Sequence, residues 1–563
     1  MHFRNIIILV LLCLVFYLPG LKTIPPLDRD ESRFAQASKQ MIESGDYIDI
    51  RFQKTARYKK PAGAYWLQAA SVNLLSPNIV NSIWAYRIPS LVAATISVIV
   101  TYFIASIFIK PIGALTAGIV LATSLLLIAE AHMAKSDALL LMSLVISQFG
   151  LAKAYKNNFT FFSWLCLWAG IGLGILVKGP IVPLIILLTI FGIWALDRDI
   201  AWCRCLKPIA GLSIVAIISL PWIIAVQIRS DGAFLQHSIG VDLIPKLLGG
   251  IESHGLPPGY YLLAVMCTFW PGSLFLWPAL CAAFGSRTNL GSRFLLAWLI
   301  PPWILLELVP TKLPHYVLPI YPAVAIMVGS WLAKVDSGRT IDPSGFQLKT
   351  FVNILLSVFW LIIGVVFIIS AMLLGVDDLL TPDSLKDYRS ILERVYKMPL
   401  AIVEAPILIA SSVTLLAILV TLVFYTRRVL NYALAFSIFA SALVTIPLLQ
   451  WTIPGVKWLF PSNQIYQVLE NKNSENNTLV AVGYHEPSLV FLGGTKTYLT
   501  EPREAARLLA QTPGARVLVT GVYMDAFLKS SKIMNIKPKV IHSFKSFNYS
   551  KGRPLELHVL VTQ

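Results

Sequence analysis

The chain is poor in charge. Only 13% of its 563 residues are Asp, Glu, Lys or Arg, against about 25% in ordinary soluble domains. Carboxylates are scarcest: 29 Asp and Glu face 46 Lys and Arg, for a net charge of +17. So little charge over such a length excludes a string of soluble domains. Cysteine is also sparse. Cys13, Cys166, Cys203, Cys205, Cys267 and Cys281 all lie in or beside apolar runs, which excludes a disulfide framework. Cys203 and Cys205 lack the further ligands a zinc site needs. No basic patch is interleaved with aromatics, so no nucleic-acid partner is expected. No two halves repeat, which removes a common sign of a transporter.

What is abundant is apolar sequence, 56% of the chain. Runs of about 18 residues or more read as membrane-spanning helices. Thirteen are expected, at about 5–21, 82–109, 112–130, 137–153, 161–177, 179–196, 208–228, 259–283, 292–309, 314–333, 351–375, 401–425 and 430–450. The first lacks a small-x-small cleavage site and reads as an uncleaved span. With the N-terminus inside, every expected inner connection carries Lys or Arg, as the positive-inside rule requires. The loops 22–81, 229–258 and 376–400 then lie outside, as does the tail from about 451.

Loop 22–81 departs from that rule, with Lys22, Arg29, Arg33, Lys39, Arg51, Lys54, Arg57, Lys59 and Lys60 on the outer side. Long loops cross regardless of charge; the sharper reading is that some of these cations face an anionic head group. Within the loop, "LDRDESRFAQASKQMIESGD" (27–46) reads as a short surface helix. Asp28 and Glu31 have capping-box spacing. Phe34, Ala37, Ser38 and Met41 recur at helical spacing, and Gly45 suits a C-terminal stop. The tail differs in character. "NTLVAVG", "ARVLVTGVY", "KVIHSF" and "LELHVLVTQ" read as strands around the helix "EPREAARLLAQ", a small α/β domain over 453–563 that follows a membrane domain over 1–452. It shows no nucleotide loop, metal-ligand spacing or catalytic triad.

Ionisable residues beside spans are costly and tend to be functional or paired. The expected outer helix ends carry Glu130, His132, Lys135, Asp137, Lys178, Glu307, Lys312, His315 and Glu404; the outer loops add Asp30, Arg33, Lys59, Lys60, His237, Glu252 and His254. Inner ends carry mainly cations. Lys and Arg can hold a phosphate and stabilise it as a leaving group. A carboxylate can deprotonate a hydroxyl or stabilise a cationic sugar. Each residue also has a plainer reading, such as ion pair, helix-dipole partner or snorkelling span end.

Six segments follow in order: "LDRDESRFAQASKQMIESGDYI", "RYKKPAGAYWL", "AKSDALLL", "LVKGP", "ESHGLPPGYYL" and "TKLPHYVLPIYPA". Over about residues 1–330 the chain resembles membrane glycosyltransferases of the GT-C fold that use polyprenyl-phosphate sugars. Bacterial lipid A aminoarabinose transferases stand nearest, with protein O-mannosyltransferases (glycosyltransferase family 39-like) further away. The resemblance implies a polytopic α-helical membrane protein with a small periplasmic α/β domain. It implies an inner-membrane enzyme moving a sugar from an undecaprenyl-type monophosphate to lipid A, lipopolysaccharide or another envelope acceptor, proteins included. It assigns catalysis to Asp30 and Asp137, donor phosphate binding to Arg33, Lys60, Lys178 and Lys312, and a substrate pocket to Glu31, Tyr58, Lys59, His254, His315 and Tyr316. One position departs. Those relatives have a metal-ligating Glu where this chain has Lys59. A protonated lysine is no ligand, so a divalent metal is left in doubt, and the extra cation stands to take over part of its work. The rival expectation is a transporter or flippase of an anionic lipid-linked sugar, against which the one-sided placement of polar residues argues.

Overall fold

The computed structural model describes residues 2–245, 256–336, 346–375, 405–470, 478–512 and 514–562. The helices are α1 (His2–Tyr17), α2 (Asp30–Ser44), α3 (Gly63–Leu75), α4 (Ile83–Phe108), α5 (Pro111–Ala122), α6 (Leu125–Ala131), α7 (Asp137–Tyr155), α8 (Phe161–Lys178), α9 (Ile181–Asp197) and α10 (Pro208–Arg229). They continue as α11 (Tyr260–Thr268), α12 (Leu276–Gly285), α13 (Leu290–Leu308), α14 (Tyr321–Asp336), α15 (Phe346–Gly375), α16 (Ala405–Thr426) and α17 (Leu430–Pro447). Among the described residues, nine helices are long and apolar enough to cross a membrane, or ten if the pair α5 and α6, bent by 62°, counts as one. Thirteen were expected. The difference lies in the shorter apolar helices His2–Tyr17, Ile181–Asp197 and Gly272–Gly285.

Two helices form the axis of the bundle. The apolar window of α7 is 78% buried, and that of Pro314–Val335, which contains α14, is 83% buried; α15 and α16 bury only 22%. A helix apolar all round is inside a bundle or against lipid, and the sequence pattern does not separate the two. Close approach does. A Cβ on Gly170 of α8 would meet Ser147 Oγ of α7 at 2.3 Å, so small residues let these two backbones touch.

Loop 22–81 folds against the bundle as α2, a two-residue hairpin of β1 (Arg51–Phe52) and β2 (Thr55–Ala56), and α3. The expected capping box is absent. Arg29 is the N-cap, with φ 64° and no side-chain cap bond. Glu31 turns inward instead, because a better partner is there: Arg87 Nε and Nη2 each donate to its carboxylate at 2.8 Å. Leu27 N and Ala134 N donate to the same carboxylate at 2.9 Å. Arg87 spends its other three N–H groups on the carbonyls of Leu21, Ile24 and Pro25. Both residues are 2% exposed or less. Glu31, expected in a substrate pocket, is thus a structural tie between α2, α4 and the turn before α7. Nor does α2 leave one broad face free. Nine of its 15 residues are buried, because α3 and a C-terminal helix cover it from two sides.

The tail forms a five-stranded sheet in the order β4-β3-β5-β7-β6. Its strands are β3 (Leu479–Val482), β4 (Tyr498–Thr500), β5 (Arg516–Thr520), β6 (Pro538–Asn548) and β7 (Arg553–Thr562), with α18 (Pro461–Glu470), α19 (Pro487–Gly493), α20 (Pro502–Gln511) and α21 (Met524–Ile533) around them. β3 pairs in parallel with β4 and β5; β7 runs antiparallel to β5 and β6. The four expected strands and the one expected helix are present.

This sheet unit is docked on α2. Lys39 Nζ donates to Phe491 O at 3.0 Å, Gln36 Nε2 to Thr495 Oγ1 at 2.7 Å, and Gln53 Nε2 to Thr497 O at 2.6 Å. Ser488 N donates to Asp28 Oδ1 at 3.2 Å, Tyr549 OH meets the Asp28 N–H, and Arg29 reaches Ser550 O. Burial pushes the Asp28 carboxyl up to about 7, and nearby Glu486 adds to the effect against the Ser488 contacts that favour its charged form.

Two outcomes are expected. Arg87→Met leaves the Glu31 charge buried and unpaired, and destabilises the fold by about 3–5 kcal/mol. The double change Glu31→Leu with Arg87→Met recovers part of that loss; thermal unfolding in detergent by size-exclusion fluorescence reads both. For Asp28, the folded value lies above the ordinary carboxylate value near 3.9. Its contribution is therefore full below about pH 4 and is lost as pH rises to about 7. The wild-type unfolding midpoint should fall from pH 5 to pH 8 by more than that of Asp28→Asn.

Candidate active site at one end of the bundle

Antiparallel alternation brings the starts of α4, α7 and α14 and the ends of α6, α8 and α13 to one end of the bundle, where the ionisable residues gather. Asp137 opens α7 and is buried. Lys178 ends α8 and donates to Asp137 Oδ1. Lys135, in the turn before α7, puts Nζ 3.8 Å from Asp137 Oδ2 and 2.9 Å from Glu130 Oε1 at the end of α6. His315, in the 3-10 turn Pro314–Ile320 leading into α14, puts Nε2 3.9 Å from Asp137 Oδ1. The Tyr316 ring centroid is 5.7 Å from Lys178 Nζ. Glu130, Lys135, Asp137 and Lys178 thus form a chain of alternating charge.

Asp30 opens α2 beside the same cluster: it is exposed, and the next residue, Glu31, accepts from Ala134 N, the residue before Lys135, at 2.9 Å. The Tyr65 hydroxyl accepts from Arg57 Nε at 3.1 Å. Phe34 stacks on Tyr65 at 4.8 Å, and the Arg57 guanidinium lies 5.4 Å from the Phe34 ring centroid.

The expected residues divide. Asp137, Lys178, His315 and Tyr316 come together, with Asp30 beside them. Arg33 and Lys60 are partly buried and Lys59 is exposed, all on loop 22–81. Lys312 is not arranged as a phosphate ligand: it is 2% exposed, and its ammonium donates to the carbonyls of Glu307 and Val309 at 2.7 Å, capping the end of α13. A helix C-terminus with unpaired carbonyls is a natural place for a lysine. Tyr58 is buried, with its hydroxyl on Asp49 Oδ1 at 2.9 Å, and so braces the hairpin region. Glu31 is the structural tie described above. His254, with Glu252 and Glu404, lies outside the described residues. Glu307 caps α11, accepting from Gly259 N at 2.9 Å and Tyr261 N at 3.1 Å.

In the sequence Glu130 and Lys135 stand out without a role, Arg57 is one of nine loop cations, and Arg87 is unmarked. The signal for the first two is the density of "AEAHMAKSD", in which Glu130, His132, Lys135 and Asp137 fall within eight positions between two apolar runs. Arg57 adjoins the "YKKP" segment. Arg87 is one cation inside an otherwise apolar helix, a costly placement that asks for a partner.

The donor set of the described residues does not fit a divalent ion. Among the described residues, no three His, Cys, Asp or Glu side chains gather in a ligating arrangement. Lys59 points to solvent, and the oxygens of Asp137 face ammonium groups.

A family profile described as dolichyl-phosphate-mannose-protein mannosyltransferase matches residues 59–224. An undecaprenyl phosphate-α-4-amino-4-deoxy-L-arabinose arabinosyl transferase from Erwinia tasmaniensis is 28% identical over 322 residues, covering 56% of this chain and 57% of the relative. The aligned region thus spans less than two thirds of that relative. In structure, the chain is similar to ArnT from Cupriavidus metallidurans bound to undecaprenyl phosphate, with TM-score 0.73 at 17% identity over 98% of this chain and 97% of that one. It is also similar to the archaeal oligosaccharyltransferase AglB from Archaeoglobus fulgidus, with TM-score 0.52 at 10% identity over 93% and 70%. Bundle, loop helices and C-terminal sheet together give this chain the same fold as those two structures.

Proposed function

We propose that the chain is an inverting glycosyltransferase that moves a sugar from a polyprenyl monophosphate of the undecaprenyl type to lipid A, lipopolysaccharide or another envelope acceptor. The reaction takes place on the periplasmic side of the bacterial inner membrane, with the N-terminus cytoplasmic and the C-terminal sheet periplasmic. The observation that carries this reading is the gathering of two buried lysines, Lys135 and Lys178, around Asp137 at one end of the bundle, with the exposed Asp30 on the helix that Glu31 ties to the turn bearing Lys135. The names of the relatives support the donor class, and the likeness to ArnT supports the architecture.

In this reading the bond between sugar C1 and the phosphate oxygen breaks, and its electron pair stays on the phosphate. A bond forms between C1 and the acceptor oxygen. Asp30 takes the proton of an acceptor hydroxyl; where the acceptor is itself a phosphate, no proton moves and Asp30 stabilises the developing positive charge on the sugar. Lys178 donates to the departing phosphate. Asp137 was expected to be catalytic. Its oxygens face Lys178, Lys135 and His315 rather than open space, which suits a positioning residue that aims the lysine.

The test uses purified protein in detergent with undecaprenyl-phosphate aminoarabinose and lipid A, read by mass spectrometry. No compartments exist there, so a transporter gives no product. Asp30→Asn should lower turnover about 100-fold or more while undecaprenyl phosphate still binds. Lys178→Met should weaken that binding. Undiminished turnover by Asp30→Asn removes Asp30 from the chemistry.

A further inference from the structure

The charge chain contains one cation for which the transferase reading above, on which this inference rests, has given no reason. Lys135 is not on a span. It sits in the five-residue turn between α6 and α7, and its side chain is only 10% exposed. Burying an ammonium is costly unless it is paired and hydrogen-bonded. Glu130 supplies the pairing at 2.9 Å, and its second oxygen is buried with no hydrogen-bond partner. Asp137 lies 3.8 Å away on the other side. Two carboxylates from two helices thus flank a single lysine.

The turn that presents Lys135 is held on both sides. Ala134 N donates to Glu31, inside the buried Arg87 pair, and Ser90 Oγ donates to Lys135 O at 3.3 Å. The lysine is therefore built into the frame that also sets Asp30 and Asp137. Such a lysine has three donors, and its one close bond is to Glu130. Donors remain for an anion.

We propose that Lys135 is the resident cation of this site: its ammonium stands between Glu130 and Asp137, and with Lys178 it grips the donor phosphate without a divalent metal. The two ammonium groups carry together the charge of one divalent ion, on stems fixed by Glu130 and Asp137. Lys135 stays protonated throughout. It stabilises the phosphate that receives the electron pair of the breaking bond, while any acceptor proton goes to Asp30.

The experiment measures undecaprenyl phosphate binding to the full chain in detergent by native mass spectrometry, and turnover in parallel. Wild-type binding and turnover should be unchanged by EDTA and by added Mg2+ or Mn2+. Lys135→Gln should weaken undecaprenyl phosphate binding about 10-fold or more, and Lys135→Arg should keep it within a few-fold, a rescue that a merely space-filling role does not require. Loss of wild-type binding or turnover in EDTA overturns the proposal without any variant, as does full binding by Lys135→Gln. Failure of the wild-type protein to bind undecaprenyl phosphate at all overturns the transferase reading itself, and this one with it.

Discussion

The buried pair of Glu31 and Arg87 is the constraint on which the candidate site depends. Each oxygen of Glu31 accepts two hydrogen bonds, and all five N–H groups of Arg87 are used. Full satisfaction is what makes two charges tolerable in so apolar an interior. The pair joins three things that are distant in sequence: the start of the helix bearing Asp30, the first turns of α4, and the turn bearing Lys135 and Asp137. Moving any one of them breaks hydrogen bonds to all the others.

Beside this neutral frame lies a second group that is also close to neutral. Glu130, Lys135, Asp137 and Lys178 alternate in sign, so the lysines stay charged and aimed while their fields largely cancel. Such a group accepts an anion without a large unpaired positive charge waiting in its absence. Asp30 stands outside the chain of pairs and exposed, where a carboxylate must be to reach a hydroxyl.

The C-terminal sheet is part of the same construction. Its helix α19 covers α2, and Asp28, two residues before Asp30, is shared with Ser488. The turn "GYHEPS" between β3 and α19 reads in sequence as structural. Here it has a specific task, since Tyr484 and Ser488 both meet Ser462, and Glu486 meets Asn548. The carboxylate proposed for chemistry is thus mounted on a helix held from below by the bundle and from above by the sheet.

The sequence by itself determined that the chain is a membrane helix bundle with a β-rich tail, because apolar run length and alternation are local properties. It also determined which residue types crowd one end, since Asp137, Lys178 and His315 each mark a helix boundary. It did not reveal which charges face each other. Glu31 and Asp30 are neighbours with the same chemistry, yet one is buried against Arg87 and the other is exposed. Lys312 and Lys178 both sit beside span ends, yet one caps carbonyls and the other binds Asp137. Those assignments depend on which side chain reaches a partner first across helices far apart in sequence, and only the packed tertiary structure decides that.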